Sequence, residues 1–152
     1  MPRFKRTKPA PTPQGSGYQA FRQHVRLDFE SRCAYCLIAE LLAGGEENFE
    51  LDHFRPKSKF PKEELNFYNL YYVCHPCNNI KRNKWPSSAH QKKGIGFVDL
   101  CATDFDAVFE EDKKGGWRGL NDSAWFTIDM LRLNRRHLLE IRVLIARLGP
   151  LL

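Results

Sequence analysis

The chain contains CAYC at residues 33–36, LDHFRP at residues 51–56 and CHPCNNIK at residues 74–81, and these three motifs largely determine its predicted fold. In a CxxC motif, a tight turn brings two thiolates to one ion. Two such turns complete the tetrahedral shell that structural zinc prefers. A shell of four cysteines has no open position for a substrate, so this zinc ion would be structural rather than catalytic. The predicted ligands are Cys33, Cys36, Cys74 and Cys77.

Other interpretations of the cysteine pairs fit less well. Four unligated core cysteines would fall into two CxxC pairs only by chance, and a redox CxxC motif would occur once, within a βαβ pattern that this sequence lacks. Disulfides are disfavoured because the count of five cysteines is odd and the N-terminus lacks the apolar segment of a signal peptide. His75 lies between two predicted ligands and could replace one, but the shell of four cysteines is already complete.

Size and charge restrict the class of protein. With 152 residues, of which 42% are hydrophobic, the chain has the size of one compact domain. Its formal net charge of +6 favours a polyanionic partner through neutralisation of phosphates. No apolar run approaches the roughly 18 residues of a membrane span, so we expect a cytoplasmic protein without membrane contact.

Local patterns predict the elements of the N-terminal half. Residues 1–15 combine Lys and Arg with closely spaced Pro and Gly, which predicts a disordered basic arm. Capping-box spacing and apolar periodicity predict a helix over residues 17–31. Residues 49–53 and 69–73 are predicted to be strands, and a helix is predicted to begin near Pro76 and continue to about residue 84.

The C-terminal half is predicted from similar patterns. Phe97–Leu100 and Phe105–Phe109 are predicted to be short strands, and the turn-forming residues 111–116 could join a hairpin. Capping side chains precede a predicted helix over residues 124–133. An apolar stripe predicts a last helix over residues 135–148, which Gly149-Pro150 would end.

Six further residues occur in a specific order between and after the cysteine pairs. Asp52-His53 is followed by Pro56, Asn69 opens the next predicted strand, and Asn78 and Lys81 follow the last cysteine at the start of a helix. This order resembles the motif of HNH endonucleases, over about residues 33–86. The resemblance is strongest to small stand-alone bacterial HNH proteins with two CxxC motifs, some of which act in defence against phages.

The resemblance implies an α+β fold. Its centre would be a ββα-metal core with the two-CxxC zinc site, flanked by an N-terminal helix and C-terminal helices. A single nuclease domain would extend over residues 16–152, with the core at about residues 33–86 and a helical C-terminal part at about residues 121–149.

The resemblance also implies roles for individual residues. His53 would be the general base that removes a proton from the attacking water. Asp52 and Asn78 would hold a catalytic divalent ion, usually Mg²⁺, with Mn²⁺ or another divalent ion as a substitute. Asn69 would brace the hairpin that orients His53, and Lys81 could approach the scissile phosphate. These roles agree with elementary chemistry, because one imidazole and one hard cation with oxygen ligands are sufficient for phosphodiester hydrolysis.

Basic residues around the motif are predicted to contact the phosphates of DNA. Lys62 extends the basic run in the loop after residue 53. The predicted nucleic-acid contacts are Arg55, Lys57, Lys59, Lys81, Arg82 and Lys84.

The sequence therefore predicts a metal-dependent endonuclease that hydrolyses phosphodiester bonds in DNA. The alternative is a non-catalytic, zinc-stabilised module that binds nucleic acid and retains the motif as a scaffold. A RING-type interaction module would need eight zinc ligands, and a nucleobase deaminase would need a His-x-Glu motif that is missing before the second cysteine pair. The sequence does not specify the DNA target, the oligomeric state or a regulatory protein partner.

Overall fold

The computed structural model describes residues 1–149, so Pro150, which was predicted to end the last helix, lies outside the described residues. Within that range, two hairpins are surrounded by short helices. The elements are α1 Arg22–Asp28, β1 Phe49–His53, β2 Leu70–Cys74, α2 His75–Lys81, α3 Ser88–Lys92, α4 Phe105–Val108, β3 Phe109–Glu111, β4 Trp117–Gly119, α5 Asp122–Leu131 and α6 Arg136–Leu148. Short 3-10 turns cover Tyr18–Phe21, Glu40–Leu42, Glu46–Asn48, Pro61–Glu63 and Phe67–Asn69.

The first hairpin and the helix after it confirm the predicted ββα core. β1 and β2 are antiparallel, with Phe49 opposite Cys74 and His53 opposite Leu70. This register places Cys74 at one end of the hairpin and His53 at the other. Since side chains alternate along a strand, Glu50 and Asp52 share one face of β1.

β2 forms the centre of the hydrophobic core, because every residue from Leu70 to Cys74 is buried. The ring of Tyr72 stacks on Phe49 of β1 at a centroid distance of 4.8 Å. The ring of Tyr71 lies 5.1 Å from Phe29, which follows α1. A strand rich in aromatic and β-branched residues suits this position, since such side chains pack well against the neighbouring elements of a sheet.

The N-terminal segment differs from the predicted disordered arm. Phe4 is only 1% exposed, and its ring lies 4.8 Å from the ring of Phe29. Arg6 is also buried, where its Nε lies 3.1 Å from Asp28 Oδ2 and its Nη2 donates to the carbonyl of Phe67 at 2.8 Å. The composition of the segment suggested disorder, but the buried side chains of Phe4 and Arg6 attach its first residues to the core.

Several other elements also differ from the sequence prediction. The helix predicted over residues 17–31 is a 3-10 turn followed by α1, which ends before Glu30 and Ser31 because both have positive φ angles, 56° and 57°. Residues 97–100 are not a strand, and the N–H of Val98 donates instead to Thr127 Oγ1 at 2.8 Å. Residues 105–108 form α4, so the strand predicted from Phe105 begins only at Phe109.

The C-terminal elements agree more closely with prediction. β3 and β4 form the hairpin, and α6 begins one residue after its predicted start. α5 begins at Asp122 because the Asn121 side chain caps it, accepting from the N–H of Ala124 at 2.8 Å. α2 ends at Lys81 rather than near residue 84, because Arg82 has a φ of 46°. Among the described residues, no helix has the length and apolarity needed to cross a membrane.

Candidate zinc centre and active site

The four predicted zinc ligands come together in one buried cluster. The Sγ atoms of Cys33, Cys36, Cys74 and Cys77 all lie within 4.8 Å of one another. The Sγ atoms of Cys36 and Cys74 are 3.8 Å apart. Tetrahedral coordination with Zn–S bonds of about 2.3 Å places neighbouring sulfurs about 3.8 Å apart, so the donor set fits a zinc ion.

The backbone explains why these cysteines converge. Leu37 has a φ of 65° and donates its N–H to the carbonyl of Cys33 at 3.0 Å, which closes the first turn. The N–H of Ala34 donates to the carbonyl of Tyr72 at 2.8 Å and so attaches this turn to β2. The other two ligands lie at the end of β2 and in the first turn of α2.

The electrostatics of the cluster favour a bound cation. Burial raises the pKa of the Cys36 thiol well above its usual value, because a thiolate loses its hydration there. A divalent ion reverses this effect and allows the thiolates to form. Arg135, just before α6, adds a positive charge with its Nη2 3.4 Å from Cys77 Sγ. His75 is not part of the cluster, since its Nδ1 lies 2.9 Å from Glu50 Oε1.

Asp52 is a buried carboxylate with two partners on one oxygen. Its Oδ2 accepts a hydrogen bond from the hydroxyl of Tyr35 at 2.5 Å and lies 3.0 Å from Lys81 Nζ. Burial raises the pKa of Asp52, and the charge of Lys81 opposes that shift. Oδ1 has no hydrogen-bond partner among the described residues, so it is the oxygen available to a metal ion. No pattern in the sequence indicated the contact with Tyr35.

Lys81 does not lie where the sequence predicted. It was expected to approach the scissile phosphate or to contact DNA, but it is 0% exposed. Its Nζ donates to the carbonyl of His53 at 3.0 Å, in addition to its contact with Asp52. Lys81 and Asn78 lie at neighbouring positions of α2, as helical spacing predicted. The side chain of Lys81, however, packs against β1. Lys81 is therefore an internal counter-ion of Asp52.

His53 has one ring nitrogen that is already engaged. Its Nε2 lies 2.9 Å from the carbonyl oxygen of Glu64. Because a carbonyl can only accept, Nε2 carries the proton in the neutral ring, and Nδ1 is the nitrogen that can take one up. The ring is 7% exposed and lies edge-on to Tyr18 at a centroid distance of 4.6 Å.

Asn69 fastens the loop that follows His53. Its Oδ1 accepts from the N–H of Arg55 at 2.8 Å, and its Nδ2 donates to the carbonyls of Arg55 and Glu63 at 3.1 and 3.2 Å. Asn69 is 5% exposed, so these bonds are shielded from water. The Asn69 side chain thus joins Arg55, near the start of this loop, to Glu63, farther along it.

Asn78 is held through its amide nitrogen. Nδ2 donates to Glu50 Oε2, and since a carboxylate only accepts, the amide oxygen Oδ1 is the atom left for a metal ion. Glu50 lies two residues before Asp52 on the same face of β1. Glu50 was not predicted as a site residue, and the only sequence signal for it was its spacing of two residues from Asp52 along β1.

One small cleft brings together Asp52, His53 and Asn78. It has a volume of about 210 Å³, and Lys57 and Arg82 contribute the positive charges of its lining. Arg55, Lys59, Lys62 and Lys84 are exposed but lie outside this lining. A larger open groove of about 1150 Å³ runs along the N-terminal segment, but none of the three residues of the cleft lines it. The smaller cleft is therefore the candidate active site.

Residues 33–84 match the family model described as HNH endonuclease. The matched range contains all four cysteines of the cluster as well as Asp52, His53, Asn69 and Asn78. Among curated proteins, none matches the chain at a significant level.

Proposed function

We propose that this chain, whose residues 33–84 form an HNH endonuclease domain, is a metal-dependent endonuclease that hydrolyses phosphodiester bonds in DNA. The observation that carries the proposal is the cleft itself. It contains one imidazole that can act as a base and two side chains, Asp52 and Asn78, whose free oxygens suit a hard cation.

His53 is the general base of the proposed reaction. Its Nδ1 takes a proton from the attacking water, while the carbonyl of Glu64 holds Nε2–H and stabilises the imidazolium that forms. Asn69 keeps the loop beside His53 in place through its bonds to Arg55 and Glu63. The ring therefore enters the reaction already oriented.

Asp52 and Asn78 would hold the divalent ion, Mg²⁺ or Mn²⁺, through one carboxylate and one amide oxygen. When bound, such an ion supplies positive charge for the phosphoryl oxygens and for the leaving oxygen. Lys81 and Tyr35 occupy Asp52 Oδ2, and Glu50 occupies the amide nitrogen of Asn78. The two ligand oxygens are therefore presented in fixed directions.

Cationic side chains around the cleft would position the DNA backbone. Lys57 and Arg82 line the cleft, so they are proposed to contact the phosphates next to the scissile bond. Arg55, Lys59, Lys62 and Lys84 are exposed around it and are proposed to contact more distant phosphates. A cytoplasmic location stays a prediction from the sequence, and a possible role in phage defence is implied only by the resemblance to small bacterial HNH proteins.

Plasmid cleavage by a His53→Ala variant tests the proposal. The zinc-loaded wild-type chain should nick or linearise plasmid DNA when Mg²⁺ is added, and His53→Ala should lose at least about a hundredfold in rate because the general base is missing. His24→Ala is the matched control, since His24 is exposed and lies outside the cleft. Unchanged cleavage by His53→Ala would remove His53 from the base role. Salt-sensitive binding of intact plasmid with every divalent ion would favour the non-catalytic module.

A further inference from the structure

One hydrogen bond connects the turn of the first two cysteines with the proposed catalytic site. Tyr35 lies between the zinc ligands Cys33 and Cys36, and its hydroxyl donates to Asp52 Oδ2 at 2.5 Å. Both partners are buried, with exposures of 4% for Tyr35 and 6% for Asp52. The same side chain is thus anchored in the turn of residues 33–36, the zinc turn, and bonded to the carboxylate of the proposed catalytic site.

The bond restricts how Asp52 can turn. A carboxylate with a single partner can rotate about its Cβ–Cγ bond and exchange its two oxygens. Here Tyr35 and Lys81 both bind Oδ2, from the zinc turn and from α2. Two donors from different elements define the plane of the carboxylate and leave Oδ1 free. Residues that hydrogen-bond to a metal ligand commonly tune the affinity of the metal site.

The zinc turn is a firm support for this contact. The N–H of Ala34 donates to the carbonyl of Tyr72, and Cys33 and Cys36 lie in the four-cysteine cluster. The neighbouring residue Tyr71 pairs directly with Asp52 in the hairpin. The four-cysteine cluster, the zinc turn and the hairpin therefore hold Tyr35 and Asp52 at a fixed separation.

We propose that Tyr35 is a positioning residue, which transmits the order of the zinc centre to Asp52 and so sets the affinity of the catalytic site for its divalent ion. This inference rests on the proposed function, because it assumes that Asp52 binds that ion. Tyr35 does not touch the substrate. It acts only through the carboxylate.

The test is the affinity of the zinc-loaded full chain for Mn²⁺ alone, measured by calorimetry without DNA. Tyr35→Phe keeps the ring and should weaken Mn²⁺ binding about tenfold or more while one zinc ion per chain is retained. Tyr71→Phe is the matched control. Tyr71 is equally buried at 4% exposure, and its hydroxyl also donates to a carboxylate, that of Asp99 at 2.6 Å. This control should bind Mn²⁺ like the wild type.

Further variants separate the possible outcomes. Replacement of the Tyr35 hydroxyl by an amino group, as 4-aminophenylalanine, keeps a donor and should restore most of the affinity. Equal Mn²⁺ affinities of Tyr35→Phe and the wild type would overturn the proposal. Equal losses of Mn²⁺ affinity in Tyr35→Phe and Tyr71→Phe, or loss of zinc from Tyr35→Phe, would also overturn it. Asp52→Asn tests the proposed function itself. If it binds Mn²⁺ as well as the wild type does, the metal site of the proposed function is itself misassigned.

Discussion

At the scale of single residues, three side chains of the cleft are each held by a group that does not line it. Asp52, His53 and Asn78 occur in the predicted order and line one cleft. Tyr35, Glu50 and the carbonyl of Glu64 were not predicted. Their contacts depend on how the zinc turn, α2 and the loop after β1 pack on the hairpin, and a pattern of residue types does not encode that packing.

Lys81 provides a test at this scale. Lys81→Met should lower the free energy of unfolding by about 3–5 kcal/mol, because it leaves the buried carboxylate of Asp52 without its counter-ion. Lys84→Met, at an exposed position of the same basic segment, should change it by no more than about 0.5 kcal/mol. Urea denaturation at pH 7 measures both. Similar stabilities of the two variants would show that Lys81 is not the internal counter-ion of Asp52.

At the scale of elements, the prediction was accurate for the two strands of the core and for the last helix. β1, β2 and α6 lie within one residue of their predicted starts. The segments at Phe97–Leu100 and Phe105–Val108 were predicted as strands from short apolar runs, which do not distinguish a strand from a packed loop or a helical turn. Their conformations are determined by tertiary contacts such as that of Val98 with Thr127.

Glu40 connects α1 with β2 and makes the free energy of unfolding depend on pH. It pairs with Arg26 of α1 and accepts from the hydroxyl of Tyr72 in β2 at 2.7 Å. The hydrogen bonds from Arg26 hold the pKa of Glu40 below its usual value. A carboxylate with a lowered pKa in the folded state stabilises the fold above its unfolded pKa of about 4.3, and this contribution is lost as the pH falls through the folded pKa.

Glu40→Gln should therefore lose stability at pH 7 relative to the wild type, and the difference should shrink as the pH falls below about 4. Thermal unfolding at a series of pH values measures this difference. Glu47→Gln serves as the control because Glu47 is exposed and forms no ion pair in the described part of the chain. A deficit of Glu40→Gln that stayed constant over this pH range would contradict the assignment.

At the scale of the whole molecule, the ββα core is extended at both ends of the chain. Arg135, next to α6, contacts the four-cysteine cluster, and the N-terminal segment packs through Phe4 against Phe29, which in turn packs on Tyr71 of β2. Net charge predicted a polyanionic partner, and the composition of residues 1–15 predicted a disordered basic arm. Composition could not reveal that Phe4 completes the core beside Phe29.

Phe4→Ala should lower the free energy of unfolding by about 3–5 kcal/mol, since it removes a fully buried ring and leaves a cavity. Lys5→Ala changes the exposed neighbouring residue and should cost no more than about 0.5 kcal/mol. Chemical denaturation compares the two. If Phe4→Ala were as stable as the wild type, the N-terminal segment would not be part of the core.

The central claim at this scale is that the chain has one structural and one catalytic metal site. Four buried cysteines suit a structural zinc ion, and the free oxygens of Asp52 and Asn78 suit a separate catalytic ion. The most direct test is plasmid cleavage by the chain loaded with one zinc ion, with and without Mg²⁺. We predict intact plasmid with zinc alone and strand breakage once Mg²⁺ is added. Equal cleavage without any added divalent ion, or none with any of them, would contradict the claim.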